Sequence, residues 1–166
     1  MEIGSFIELE LKKGLELYSG TKDIARLNTG RAAIWHSARV LGANTVWVPY
    51  YQCESVRDFL LEKGCNVRYY HIDRDFTPTD IDAADGDAIL LVNYFGIMSA
   101  KRMQRLACGY SNVIIDNCQA FFSKPTPNCM NVYSARKFVG VADGAYVIGK
   151  NAHLYLEEYA QGYSSD

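Results

Sequence analysis

The sequence predicts an α/β domain, a largely parallel sheet covered by helices, and two observations carry that expectation. Short strand-like runs alternate with segments of helical periodicity along most of the chain, the signature of successive β-α units. One of those runs, Asn112-Val113-Ile114-Ile115, is β-branched and apolar without alternation, as a strand is when both faces of its sheet are covered.

The elements follow in order. Gly30 to Leu41 reads as a helix capped by Thr29, with Ala32, Ala33, Ala38 and Leu41 available for packing. Thr45 to Val48 is a strand, and Glu54 to Lys63 a helix ended by Gly64. Asn66 to Tyr70 is the second strand. A polar, Asp-rich stretch from Asp73 to Asp87 then leads to a third strand, Ala88 to Val92. Ser99 to Cys108 is a helix whose apolar side carries Met103, Leu106 and Ala107. Asn112 to Ile115, Asn131 to Tyr133 and Ala145 to Ile148 bring the strands to roughly six, and His153 to Ala160 opens a further helix. With no internal repeat, low-complexity tract or linker, residues 1–166 read as one domain.

Composition narrows the class. A hydrophobic fraction of 49% in 166 residues is enough for a proper core, and a formal charge of -2 gives no basic excess for nucleic acid. No apolar run approaches a membrane span, and Met1 to Gly14 carries acids and lacks the apolar core of a signal peptide, so a cytoplasmic protein without membrane partners is expected. The five cysteines (Cys53, Cys65, Cys108, Cys118 and Cys129) are odd in number and never in a Cys-x-x-Cys pair, which suggests neither a disulfide framework nor a zinc site. Most read as small core residues. His36, His71 and His153 lack metal-ligand spacing and read as structural, so no metal is expected.

The chemistry concentrates in two segments. Asp116 ends the strand that begins at Asn112, and Lys137 lies just past the strand Asn131 to Tyr133, in Ser134-Ala135-Arg136-Lys137. Ligands of open parallel sheets collect beyond the carboxyl ends of the strands. An amine and a carboxylate placed there suit pyridoxal 5'-phosphate (PLP): the amine condenses with the cofactor's aldehyde, and the carboxylate holds its ring nitrogen protonated. The plainer alternative for Asp116 is an acid capping a loop. At the start of the first helix, Thr29, Gly30 and Arg31 offer free N–H groups to a phosphate, or are an ordinary capped helix start.

Across most of the chain these residues resemble the DegT/DnrJ/EryC1/StrS family of sugar aminotransferases, PLP enzymes of fold type I. The resemblance rests on Asp116 with Gln119, Ser134 with Lys137, and Asp143-Gly144, and upstream on Asn28 to Ile34, Val46 to Tyr51 and Ile89 to Gly96. It implies the PLP-transferase-like large domain, three layers α/β/α with a mostly parallel sheet. It also implies a Schiff-base lysine at Lys137, a ring-nitrogen partner at Asp116, and a phosphate site that includes Gly30, Arg31 and Ser134. Gln119, one helical turn beyond Asp116, is expected at the cofactor's phenolic oxygen or orienting the ring, with Asn93 near the same edge, or else both satisfy loop carbonyls. Arg136 adds positive potential beside the amine, or pairs at the surface.

Two departures stand out. The family usually has Gly-Thr where this chain has Gly30-Arg31, and Cys53 stands where an aromatic ring usually stacks on the cofactor. Either Tyr51 takes the stacking role or Cys53 packs its sulfur on the ring; alternatively the tyrosines, 12 in the chain, line a subunit contact. The resemblance implies transfer of an amino group from a donor such as glutamate to a keto group on a nucleotide-linked sugar, by a homodimer. It runs from about Asn28 to Gly149, so the family's smaller C-terminal domain is expected to be missing and cofactor binding to outlast turnover. The alternative function is a non-catalytic relic of the same fold serving as a binding or assembly module. A nucleotide-binding α/β domain is disfavoured, since no Gly-x-Gly-x-x-Gly or Walker loop follows the first strand.

Overall fold

In a computed structural model, which describes Tyr18 and residues 20–159, eight strands form one sheet in the order β1-β8-β7-β6-β5-β2-β3-β4. Met1 to Gly14 and the end of the chain from Ala160 lie outside the described residues. The elements are β1 (Ile24–Leu27), α1 (Gly30–Leu41), β2 (Thr45–Pro49), α2 (Glu54–Glu62), β3 (Asn66–Ile72), β4 (Pro78–Thr79), β5 (Ala88–Val92), α3 (Ala100–Ala107), β6 (Asn112–Asp116), β7 (Met130–Ser134) and β8 (Ala145–Ile148). β3, β2, β5, β6 and β7 run parallel, while β8, β1 and β4 are antiparallel additions at the two sides.

Alternate residues along the parallel strands build the two faces. Val46, Val48, Leu90, Ile114 and Val132 pack with Ala33, Ile34 and Ala38 of α1 and with Val56 and Leu60 of α2. Their neighbours Ile89, Leu91, Val113 and Ile115 pack with Met103 and Ala107 of α3. The sheet therefore carries helices on both faces, and two of its internal strands, β5 and β7, are buried along their whole length.

The caps explain where the helices begin and end. Thr29 Oγ1 accepts the Ala32 N–H at 3.3 Å, Ser99 does the same for Arg102, and Gly42 closes α1 in the left-handed conformation.

Four expectations need correction. β1 and β4 join the six expected strands, because each is short and held by antiparallel pairing at a side of the sheet, which leaves little periodicity to read. The segment after Gly149 is not an α-helix up to Tyr159. Tyr155 has φ 64, which interrupts any helix from His153, and only a 3-10 turn, Leu156–Glu158, follows. Of the five cysteines only Cys118 and Cys129 are buried; Cys53 and Cys108 are exposed. Asp116 to Gln119 is a turn and not a helical turn.

His36 is structural, as its isolation in the sequence suggested. It is fully buried in α1, its Nε2 lies 2.7 Å from the Ala152 carbonyl, and its Nδ1 lies 2.8 Å from the Tyr159 hydroxyl. Because a carbonyl only accepts, the neutral ring carries its proton on Nε2, and Nδ1 accepts from Tyr159. Burial pushes the imidazole below its ordinary pKa, the Ala152 carbonyl pulls it back, and Arg39 adds to the lowering. The unfolded chain therefore binds a proton near the ordinary value of about 6.5 while the native chain still refuses it. Stability is full above that pH and is lost as pH falls below it. Thermal unfolding followed from pH 7.5 to 5 is expected to show this decline, and His36→Gln, which keeps a donor for Ala152 but no titratable proton, is expected to flatten it.

Candidate active site

The register of the sheet brings the chemistry to one edge. Val92 of β5, Asp116 of β6 and Val132 of β7 are successive partners, so the exits of β5, β6 and β7 lie side by side. β8 runs the other way and β1, antiparallel to β8, runs with β7, and the pairings Ser134↔Ala145 and Leu27↔Ala145 put the start of β8 and the end of β1 at the same edge. The loops that leave β1, β2, β5, β6 and β7 and the loop that enters β8 thus converge.

Asp116 is the buried acid among them, 6% exposed. Its Oδ1 accepts the Cys118 N–H at 2.8 Å and its Oδ2 accepts the Gln52 side-chain amide at 3.0 Å. Both donors are neutral. No ion pair joins Asp116 to a cation among the described residues. Its negative charge reaches its neighbours, adding to the burial that pushes the Tyr94 hydroxyl and the Cys118 thiol well above their ordinary ranges.

Lys137 is exposed in the 3-10 turn that follows Ser134. Its ammonium acts from one side on Cys118, two residues past Asp116, and from the other on Cys53 at the start of α2. Lys137 therefore lies within electrostatic reach of both the exit of β6 and the start of α2. The Cys53 thiol is lowered chiefly by its bond to the Ser55 hydroxyl, 3.1 Å away, and by the Ser55 backbone, with Lys137 adding a smaller pull.

The start of α1 closes the group. A Cβ on Gly30 would fall 2.7 Å from Cys118 Sγ and 3.9 Å from Ser134 Cβ, so only glycine lets the helix start sit this close to the exits of β6 and β7. The close approach it permits is thus to protein atoms. Within the first turn Thr29 takes the N–H groups of Ala32 and Ala33, and among the described residues those of Gly30 and Arg31 have no such partner and are open to a ligand. Gly144, at φ 114, ties three loops together: its N–H donates to Asn28 O at 2.8 Å and its carbonyl accepts the Ala135 N–H at 3.0 Å.

Among the expected site residues, Asp116, Lys137, Gly30, Ser134 and Cys53 are brought to this edge. The Arg31 side chain is not, because its guanidinium lies over the Phe59 ring of α2, 5.7 Å from the centroid. Gln119 is exposed and its Oε1 accepts the Phe95 N–H at 3.0 Å, which fixes its amide with the oxygen toward the loop after β5. Tyr51 stacks on Tyr94, with centroids 5.4 Å apart, and its carbonyl accepts the Tyr94 hydroxyl at 2.8 Å. Asn93 is turned inward to Asn117, 3.0 Å away, and is buried.

Gln52 is the residue that sequence reasoning missed. The available signal was its place on the loop leaving β2, the strand next to β5, where a polar side chain at a strand exit points toward the site. Among the described residues there is no cluster of potential metal ligands and no helix long and apolar enough to cross a membrane.

No protein-family model matches the chain, and no curated protein sequence matches it. Its fold is nevertheless found among solved structures. DesV from S. venezuelae, in complex with a ketimine intermediate, superposes with a TM-score of 0.63 at 16% identity over 78% of this chain and 41% of that one. NtdA from Bacillus subtilis, with bound cofactor PMP, gives 0.62 at 18% identity over 77% and 33%. The sugar aminotransferase CalS13 from Micromonospora echinospora gives 0.58 at 19% identity over 82% and 44%. The chain thus spans less than half the length of these structures and shares their PLP-transferase fold.

Proposed function

We propose that this chain forms the cofactor-binding part of a PLP-dependent aminotransferase, which passes an amino group from an amino acid such as glutamate to a keto group on a nucleotide-linked sugar. The observation that carries the reading is Asp116: a buried carboxylate at a strand exit, held by two neutral donors and given no cation by the described residues. A charge so placed is costly unless a cation meets it, and a protonated ring nitrogen is a cation of the right kind. The fold shared with the aminotransferases supports the same reading.

When bound, PLP supplies an aldehyde conjugated to an electron-accepting ring. The chain's own residues do the rest. Asp116 orients the ring and keeps its nitrogen protonated. Lys137 would supply the amine for that aldehyde and, when free, would carry a proton at its Nζ. The N–H groups of Gly30 and Arg31 and the hydroxyl of Ser134 hold the phosphate at the start of α1. Cys53, with no aromatic ring at its position, offers sulfur to one ring face.

Mixing the purified chain with PLP tests the reading, with a visible absorption band as the expected result. No band at saturating PLP would instead favour the second reading, a binding or assembly module on the same fold.

The same edge supports a homodimer. Tyr50, Tyr51, Phe95, Phe122 and Phe138 are exposed around the site, a set of apolar rings that a second copy would cover. Sedimentation at high protein concentration with PLP present is expected to show a dimer; a strict monomer would refute it.

A further inference from the structure

Gln52 holds both ends of its amide in defined bonds. Its Oε1 accepts the Cys53 N–H at 2.9 Å, and a backbone N–H only donates, so the orientation of the amide is fixed: Nε2 points at Asp116 Oδ2, 3.0 Å away. The side chain is a strut between the start of α2 and the carboxylate at the exit of β6. With the Cys118 N–H on Oδ1, it engages both carboxylate oxygens and sets the plane of the group.

We propose that Gln52 is a positioning residue for Asp116, a neutral donor that orients the carboxylate before the cofactor's ring nitrogen meets it and then shares Oδ2 with that nitrogen. This deepens the aminotransferase reading and rests on it. Hydrogen bonds to a carboxylate favour its charged form. With Gln52 in place the ring proton stays on the ring nitrogen, whose pull on electrons makes the nitrogen joining Lys137 to the cofactor easier to deprotonate. Without Gln52 the carboxylate plane is held only by the Cys118 N–H, Oδ2 is free to turn away from the ring nitrogen, and that pull weakens. The titratable groups facing Asp116 are Cys118 beside it and Tyr94 from the exit of β5; Lys137 and Arg136, from the exit of β7, act at Cys118.

The experiment is a double-mutant cycle on the full chain loaded with PLP, read as the pH midpoint of the visible band. Gln52→Met keeps length and volume and removes both polar ends. It is expected to raise the midpoint by about one unit, a tenfold change, the size of one lost bond to a charged group. Asp116→Asn is expected to raise it further. The double variant is expected to match Asp116→Asn alone, because a residue that acts only through Asp116 has nothing left to act on. A midpoint in Gln52→Met equal to that of the unchanged chain overturns the proposal, and so does a shift that adds fully in the double variant. Gln52→Ala gives the same comparison where Met disturbs folding, which thermal unfolding reports. If the unchanged chain shows no band, the cofactor reading fails and the inference with it; a band that responds to Asp116→Asn but not to Gln52→Met sinks the inference alone.

Discussion

Lys137→Ala is expected to abolish covalent capture of PLP. In the unchanged chain, borohydride reduction should fix one cofactor per chain to the peptide that contains Lys137; in the variant no such adduct should form. The effect is expected to be large because Lys137 is the lysine that follows β7 at the carboxyl edge, and two other lysines are set elsewhere by the fold. Lys150 follows the end of β8, which runs antiparallel to β7, so it sits at the opposite edge of the sheet beside Val40 and Leu41. Lys63 follows the end of α2, away from the start of that helix where Cys53 feels Lys137. Peptide mapping by mass spectrometry decides the matter: an adduct on Lys124 or Lys150, or one that persists in Lys137→Ala, would remove Lys137 from its role.

The position of Lys137 was legible in the sequence because it depends on strand order alone. Ser134 closes a run of five buried residues, and any residue two or three past a parallel strand must emerge at the carboxyl edge. Asp116 was legible for the same reason, as was the pairing of the two on neighbouring strands. What the sequence could not supply is direction. Arg31 follows Gly30 at a helix start, where a cation suggests a phosphate, yet its side chain runs along α1 to Phe59. The close contact behind Gly30 comes from Cys118, 88 residues away in sequence, and no local pattern encodes it. Gln52 belongs to the same class: its bond to Asp116 is defined only once β2 and β6 are placed on either side of β5.

Asp116→Ala is expected to weaken PLP binding by about 2 to 5 kcal/mol, the range for losing a charged partner from a desolvated cation. Asp116→Asn separates charge from shape. Its carbonyl can still accept the Cys118 N–H, so the turn from Asp116 to Gln119 is preserved, but its neutral amide cannot balance a ring cation. If charge is what the site uses, Asn should lose most of what Ala loses. The unloaded chain should respond differently. There the carboxylate is buried with no cation among the described residues, so removing its charge relieves a desolvation cost that offsets the Gln52 bond, where the Asn amide now faces a donor, and the thermal unfolding midpoint of the Asn variant should fall only modestly. Spectral titration with PLP and thermal unfolding, run on the same two variants, read the two effects apart. Affinity that survives in both variants would show that Asp116 caps its turn and does nothing more, the plainer reading its sequence position allowed.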